Sequence, residues 1–237
     1  MHPVIRDVAL LLPILLPVPA AAGEEPVAPA PAKAEPRDLA ALLEKIRAKH
    51  DLPALAAALL RGGEIEALGA AGVRERGKPE KATAEDLWHL GSCTKAMTAT
   101  LCGLLVEEGK LDFGTELLPA LGEGAAKADP GWKGCTLGML LRNRGGASPE
   151  VPPPLWAAAW NHRGTDREAR RDLVAGFLAL PPKSKPGTAY AYSNMNFVLA
   201  GAVAEEAAGK GWQDLMRERL FRPLGMERAG FGAPGTL

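Results

Sequence analysis

No long uninterrupted apolar run occurs in this sequence of 237 residues. The longest, roughly Val8 to Val18, is broken by Pro13 and Pro17 and falls well short of the ~20 apolar residues that a membrane-crossing helix needs. No transmembrane span is expected. Net charge is missing as well, with 28 Lys plus Arg against 28 Asp plus Glu and no block of one sign. That leaves no field for gripping a phosphate backbone, so nucleic acid is not an expected partner. Three cysteines are too few for a disulfide scaffold, and an odd number leaves at least one unpaired within the chain. Cys93 and Cys102, if they share a helix, would lie about 13 Å apart along its axis, beyond disulfide reach. Cys135 could pair with either or with neither. The histidines, His2, His50, His89 and His162, are scattered, and no Cys-x-x-Cys or His-x-x-x-His spacing occurs. Neither a metal site nor another cofactor is expected. Aromatics are scarce at 5%, but 47% of the residues are hydrophobic, which excludes disorder, collagen and coiled coil and fits one large globular domain or two small ones.

What is present begins at the amino end. His2 and Arg6 precede the apolar run, and Ala20, Ala21 and Ala22 follow it. A charged start, apolar middle and small-residue end predict a secretory signal peptide over residues 1–22, cleaved before Gly23, and therefore an exported protein, periplasmic or secreted. The competing reading of the run is a buried N-terminal strand. Residues 23–37, with four prolines from Gly23 to Pro36, read as a tether, and residues 38–237 as the folded domain.

Asp38 can cap a helix with a stripe of Leu39, Leu42, Leu43 and Ile46. Ala54 to Leu60 and Ile65 to Val73 read as antiparallel strands joined by a turn through Gly62 and Gly63. A helix is expected from Ser92 to Glu108, with Met97, Leu101, Leu104 and Leu105 inward and Gly109 as its stop. A short helical stretch follows at Leu137 to Leu141. Pro149 to Pro154 read as a proline-rich loop, and Thr165 with Glu168 as the capping box of a helix running to about Leu180, with Ala169, Leu173, Phe177 and Leu180 inward. Helices are expected over Asn194 to Ala208, closed by Gly209, and Trp212 to Phe221, closed by Pro223. The fold class is α+β, an antiparallel sheet packed with helices plus a helical region, and the sheet is incomplete because a lone hairpin needs further strands.

The chain has four serines, Ser92, Ser148, Ser184 and Ser193, none in a Gly-x-Ser-x-Gly elbow, and only Ser92 has lysine at +3. At the start of a helix, residues i and i+3 lie about 5 to 6 Å apart on one face, so Lys95 can reach the Ser92 hydroxyl. A serine hydroxyl becomes a nucleophile when a neighbour accepts its proton, and a lysine can do so where its surroundings favour the neutral amine. The helix start adds positive potential and backbone N–H groups for a developing oxyanion. A second constellation is Tyr192-Ser193-Asn194. Its phenol could shuttle a proton and its amide hold a substrate carbonyl; the plainer reading makes Tyr192 a half-buried anchor and Asn194 a helix cap.

Taken together, Leu90-Gly91-Ser92-Cys93-Thr94-Lys95, the stretch Leu105 to Asp112, Thr136 to Leu141, Pro186-Gly187-Thr188, Tyr192-Ser193-Asn194 and Pro223 to Met226 resemble, in order and spacing, the serine β-lactamase and penicillin-binding superfamily. The similar branch is that of class C β-lactamases, D-Ala-D-Ala carboxypeptidases, D-aminopeptidases and related esterases. The resemblance covers about residues 38 to 232 and implies a β-lactamase/transpeptidase-like fold. It implies an exported serine hydrolase that cleaves a β-lactam, D-amino-acid peptide or ester without a cofactor. In its terms Ser92 is the acylated nucleophile, Lys95 and Tyr192 form its acid–base unit, Asn194 positions substrate, and the Ser92 backbone N–H is half of the oxyanion hole.

Two departures stand out. Where that family commonly has histidine followed by Thr-Ser-Gly, this chain reads Asn143-Arg144-Gly145-Gly146, taken as drift in a structural turn. The family's third motif, Lys or His, any residue, then Gly, has no counterpart after Tyr192; His162-Arg163-Gly164 has the letters but precedes it and is rejected. The expectation is a record truncated at its carboxyl end. The alternative function is a catalytically inactive relative serving as a peptidoglycan-binding or regulatory module.

Overall fold

The computed structural model describes residues 35–232. The signal-peptide stretch and most of the tether lie outside the described residues. The chain divides into two compact units, Met1–Glu85 and Asp86–Leu237.

The first unit is built from β1 (Arg37–Asp38), α1 (Ala40–Lys49), β2 (Ala54–Arg61) and β3 (Glu64–Gly72). Its sheet has the order β1-β3-β2, with β1 parallel and β2 antiparallel to β3. Ala54 pairs with Gly72 and Arg61 with Glu64, with a bulge between Leu59 and Leu60. The turn predicted at Gly62 and Gly63 is present, and both residues have positive φ, as a tight hairpin requires. Along β3, Ala67, Gly69 and Ala71 are buried and alternate with half-buried neighbours. That period-two face meets α1 so closely that a Cβ on Gly69 would lie 2.9 Å from the Ala40 nitrogen. Asp38 does serve the helix start, its Oδ1 accepting from the Ala40 N–H at 2.8 Å. The expected α1 stripe is narrower than its spacing suggests. Only Leu43 is buried, while Leu42 and Ile46 are exposed.

The second unit contains α2 (Thr94–Glu107), α3 (Leu117–Leu121), α4 (Leu137–Leu141), α5 (Pro153–Trp160), α6 (Asp166–Leu178), α7 (Asn194–Ala208) and α8 (Trp212–Met216). The predicted Trp212 to Phe221 helix changes character partway: α8 gives way to a π-helical turn at Arg217–Phe221. The central element is α7, against which α2, α3, α4, α6 and α8 pack. It is apolar nearly all round, and Leu199 through Glu205 are buried without a break, which is what an enclosed helix requires. Ser193 caps it, accepting from Met195 N–H, and Gly209 ends it with φ 67°. One core gathers Cys102, Leu105, Trp132, Leu137, Leu140, Phe177 and Leu199; a second gathers Leu101, Leu215, Met216, Leu220 and Phe221. Adjacent faces of α2 thus enter two cores, Leu101 on one side and Cys102 and Leu105 on the other.

Two expectations in this unit need correction. The proline-rich stretch is not all loop: Pro153 and Pro154 sit in the first turn of α5, where a missing N–H costs nothing. The helix capped by Thr165 ends at Leu178, so Leu180 is exposed rather than inward. The capping box itself is formed in both directions.

Candidate active site

Ser92 does not lie in the α-helix proper. Gly91–Cys93 form a single 3-10 turn that runs into α2 at Thr94. Ser92 in that turn and Lys95 in the first turn of α2 are three residues apart and so project from the same side. Lys95 Nζ donates to Ser92 Oγ at 3.1 Å. Ser92 is exposed and Lys95 half-buried, so the hydroxyl faces solvent while the ammonium is held behind it.

The second constellation arrives from a loop a hundred residues on. Tyr192 Oη lies 2.6 Å from Ser92 Oγ, and Asn194 Oδ1 accepts from Lys95 Nζ at 2.7 Å. Lys95 Nζ also stands 4.8 Å from the centre of the Tyr192 ring and 5.7 Å from that of Phe197, so its charge sits over two aromatic faces. Lys95, hydrogen-bonded to the phenol, holds the Tyr192 pKa below its ordinary value of 10.0, and the bond to Ser92 acts in the same direction. The structure therefore brings all four sequence-predicted side chains into one hydrogen-bonded group. It also decides a question the sequence left open: Ser193 is the helix cap, and the Asn194 amide is spent on Lys95.

Lys95 donates into Ser92 Oγ, and either oxygen of the Ser92–Tyr192 pair can be the donor, so the phenol lies within reach of the serine proton. That set can take a proton from a hydroxyl and return it to a leaving group without a metal. Among the described residues no cluster of three His, Cys, Asp or Glu side chains could hold a metal ion. All three cysteines are free thiols: Cys93 is exposed beside the serine, whereas burial pushes Cys102 and Cys135 up to about 12. His162, rejected as part of a third motif, lies outside this group and bonds Asp172 at 3.3 Å.

Sequence reasoning missed the residues that hold the tyrosine loop. Asn143 Oδ1 accepts from Ser193 N–H and from Asn196 Nδ2, each at 3.2 Å. Ser193 Oγ donates to the Ser148 carbonyl at 2.6 Å. Asn143 holds a positive φ of 54°, a backbone state that asparagine tolerates better than most residues.

A family model described as Beta-lactamase matches residues 39–236. The chain is 29% identical over 187 residues to "Penicillin-binding protein 4" of Amycolatopsis lactamdurans, covering 78% of this chain and 46% of that protein. It is 30% identical over 199 residues to "D-aminopeptidase" of Gluconobacter oxydans (strain 621H), covering 81% of this chain and 35% of that one. Among solved structures, the D-amino acid amidase from Ochrobactrum anthropi SV3 superposes with a TM-score of 0.63 at 25% identity, over 80% of this chain and 49% of that chain. The chain thus spans half or less of the length of these relatives. A penicillin-binding protein from Bacillus halodurans, at 24% identity and a TM-score of 0.64, shares the fold. With the matched region enclosing both motifs, the chain belongs to the Beta-lactamase family and has the β-lactamase/transpeptidase fold.

Proposed function

We propose that this chain carries the nucleophile-activating set of an exported serine hydrolase that cleaves an amide or ester through an acyl-serine at Ser92. The observation that supports this most strongly is the convergence of Ser92, Lys95, Tyr192 and Asn194 within hydrogen-bonding distance, from segments a hundred residues apart. In the proposed step Ser92 Oγ bonds to the acyl carbon while its proton passes to the coupled Tyr192–Lys95 unit. The bond to the leaving nitrogen or oxygen breaks, and that atom takes the proton. Water then attacks the acyl carbon, releasing an acid and restoring the serine. The Ser92 backbone N–H, in the first turn and without a partner inside it, supplies one oxyanion donor. That the relatives are a penicillin-binding protein, a D-aminopeptidase and a D-amino acid amidase supports a β-lactam or a D-amino-acid peptide or amide as substrate.

Intact-mass analysis after exposure to a penicillin or a fluorophosphonate tests the reading. One adduct on Ser92, absent from Ser92→Ala, is expected; an adduct that persists in the variant would sink the assignment. Lys95→Ala should slow labelling by at least about 10²-fold. Export is tested by sequencing the amino terminus of protein recovered from an exporting host: Gly23 first is expected, and an intact Met1 overturns the signal-peptide reading.

The second reading is an inactive peptidoglycan-binding or regulatory module. Calorimetric binding of muropeptides with no acylation of Ser92 would support the module over the hydrolase.

A further inference from the structure

The turn after α4 does more than reverse the chain. Along residues 143–146 its groups meet the segment that carries Tyr192 at successive points. The Gly146 carbonyl accepts from Lys183 N–H, the Arg144 carbonyl from Gly187 N–H and the Asn143 carbonyl from Ala191 N–H, at 2.8 to 2.9 Å. Arg144 closes the same contact from the other side, donating through Nη2 to the Gly187 carbonyl at 2.6 Å. The Asn143 side chain makes the last two contacts, to the Ser193 N–H and to Asn196 Nδ2.

These contacts bracket the two site residues. Ala191 precedes Tyr192, Ser193 separates it from Asn194, and Asn196 lies in the first turn of α7. Ser193 and Asn196 are both buried, at 1% and 0% exposure, so their positions are fixed by packing as well as by bonds. The Asn196 amide is committed to this arrangement: its Nδ2 faces Asn143 and the Ala191 carbonyl, while its Oδ1 is buried with no hydrogen-bond partner. That Oδ1 points toward Gly145, where a Cβ would stand only 2.6 Å from it and 2.5 Å from Leu140 Cδ2. A side chain at 145 would push the turn away from the loop it holds.

We infer that Asn143 is a positioning residue of the nucleophile site. Through Ala191, Ser193 and Asn196 it sets Tyr192 Oη against Ser92 Oγ and Asn194 against Lys95. The Asn-Arg-Gly-Gly turn, read from the sequence as drift, is in this light a built part of the site. The inference rests on the reading of Ser92 as the nucleophile, and it is tested by a measurement that does not need turnover.

The chain has two tyrosines, Tyr190 and Tyr192, so in a Tyr190→Phe background the phenolate absorbance reports Tyr192 alone. With its position held by Asn143, Tyr192 titrates below the ordinary phenol value. Asn143→Gly keeps the positive φ and removes the side-chain acceptor. It should retain helical circular dichroism, move the Tyr192 titration up toward about 10, and slow penicillin or fluorophosphonate labelling of Ser92 by at least about 10-fold. Asn143→Asp keeps an acceptor oxygen and should restore the parental labelling; its added negative charge raises the phenol titration by itself, so labelling is the readout for that variant. Should Asn143→Gly fail to fold, Asn196→Leu removes the donor from the other side of the same contact without adding charge and must move the titration in the same direction. A folded Asn143→Gly with parental titration, or Asn143→Asp labelled as slowly as Asn143→Gly, overturns the inference. If the parent takes no label yet Tyr192 still responds to Asn143, the hydrolase reading falls and the positioning role stands. If the parent is labelled and Tyr192 ignores Asn143, the positioning role falls alone.

Discussion

The two compact units enclose their side chains to very different degrees. In the helical unit Trp132, Leu137, Leu199 and Met216 are sealed in packed cores, although Trp160 and Leu224 stay exposed, and the buried acid Glu205, on α7, pairs with Arg170 of α6 and accepts from the Trp212 N–H at 2.6 Å. In the hairpin unit the buried positions of β3 are alanine and glycine, and Leu59, Leu60 and Ile65 are exposed. The site follows the better-packed unit. Ser92 and Lys95 stand at the head of a helix anchored in two cores, and Tyr192 and Asn194 at the head of the most enclosed helix. A constellation that must hold reacting atoms within a fraction of an ångström gains from rigid elements of this kind.

The largest expected contrast is between ion pairs. Burial pushes the Glu205 carboxyl above its ordinary value even with Arg170 pulling the other way, so desolvation outweighs the attraction. Arg170→Met leaves that carboxylate enclosed without its cation and should cost about 3–5 kcal/mol at neutral pH in urea unfolding. The sign of the pH dependence follows. A raised folded pKa favours the protonated form in the native state, so the penalty is full above that pKa and fades as pH falls through it. Removing Arg170 raises the value further, and acidification should return much of the lost stability. In the hairpin unit Arg61 pairs with Glu66 at 2.6 Å, but its side chain is 78% exposed, and Arg61→Met should cost less than about 1 kcal/mol. Comparable losses in the two units would erase the distinction.

Leucine for leucine, the contrast is smaller and equally plain. Leu137 is fully buried, and Leu137→Ala should cost about 2–5 kcal/mol through lost burial and the cavity left behind. Leu60 is 63% exposed, and Leu60→Ala should stay within about 0.5 kcal/mol. Denaturation midpoints for the two variants measure this directly, and a large loss at Leu60 would mean that the hairpin is packed more tightly than its exposure indicates.

How much of this was legible in advance depended on whether the signal was local. The end of α7 follows from Gly209 and the hairpin from its glycine pair, because stops and turns are written in adjacent residues, whereas the cap is Ser193 and not the Asn194 that the sequence offered. The Ser92–Lys95 contact was legible for the same reason. A proline pair was read as loop because proline breaks helices from within, although at the first turn of α5 it starts one. Leu42 and Ile46 have the spacing of an inward stripe, yet periodicity names a face without saying what covers it. The triplet offered Tyr192 as a proton shuttle for Ser92 and the resemblance singled that reading out, but the Asn143 contacts were not legible at all, since side-chain bonds across 50 residues leave no periodic trace.

The smallest contrast concerns helix starts. Thr165 accepts from the Glu168 N–H at 3.2 Å, and Glu168 Oε2 reaches back to the Thr165 N–H at 2.7 Å, so two orphan donors of α6 are satisfied reciprocally. At α1 the Asp38 carboxylate meets the Ala40 N–H, with no reciprocal bond from the helix side. Thr165→Ala should therefore cost about 1 kcal/mol, and Asp38→Ala about half that, within the range of cap removals. Acid titration adds a second readout. The Thr165 backbone N–H, and then its hydroxyl, hold the Glu168 carboxyl below its ordinary value, a contribution present above that value and lost as pH falls through the folded one. With the hydroxyl gone, the Glu168 resonance should titrate at higher pH in Thr165→Ala while the backbone bond keeps part of the shift. An unmoved Glu168 titration would mean that the hydroxyl adds nothing, reducing α6 to the one-sided start of α1.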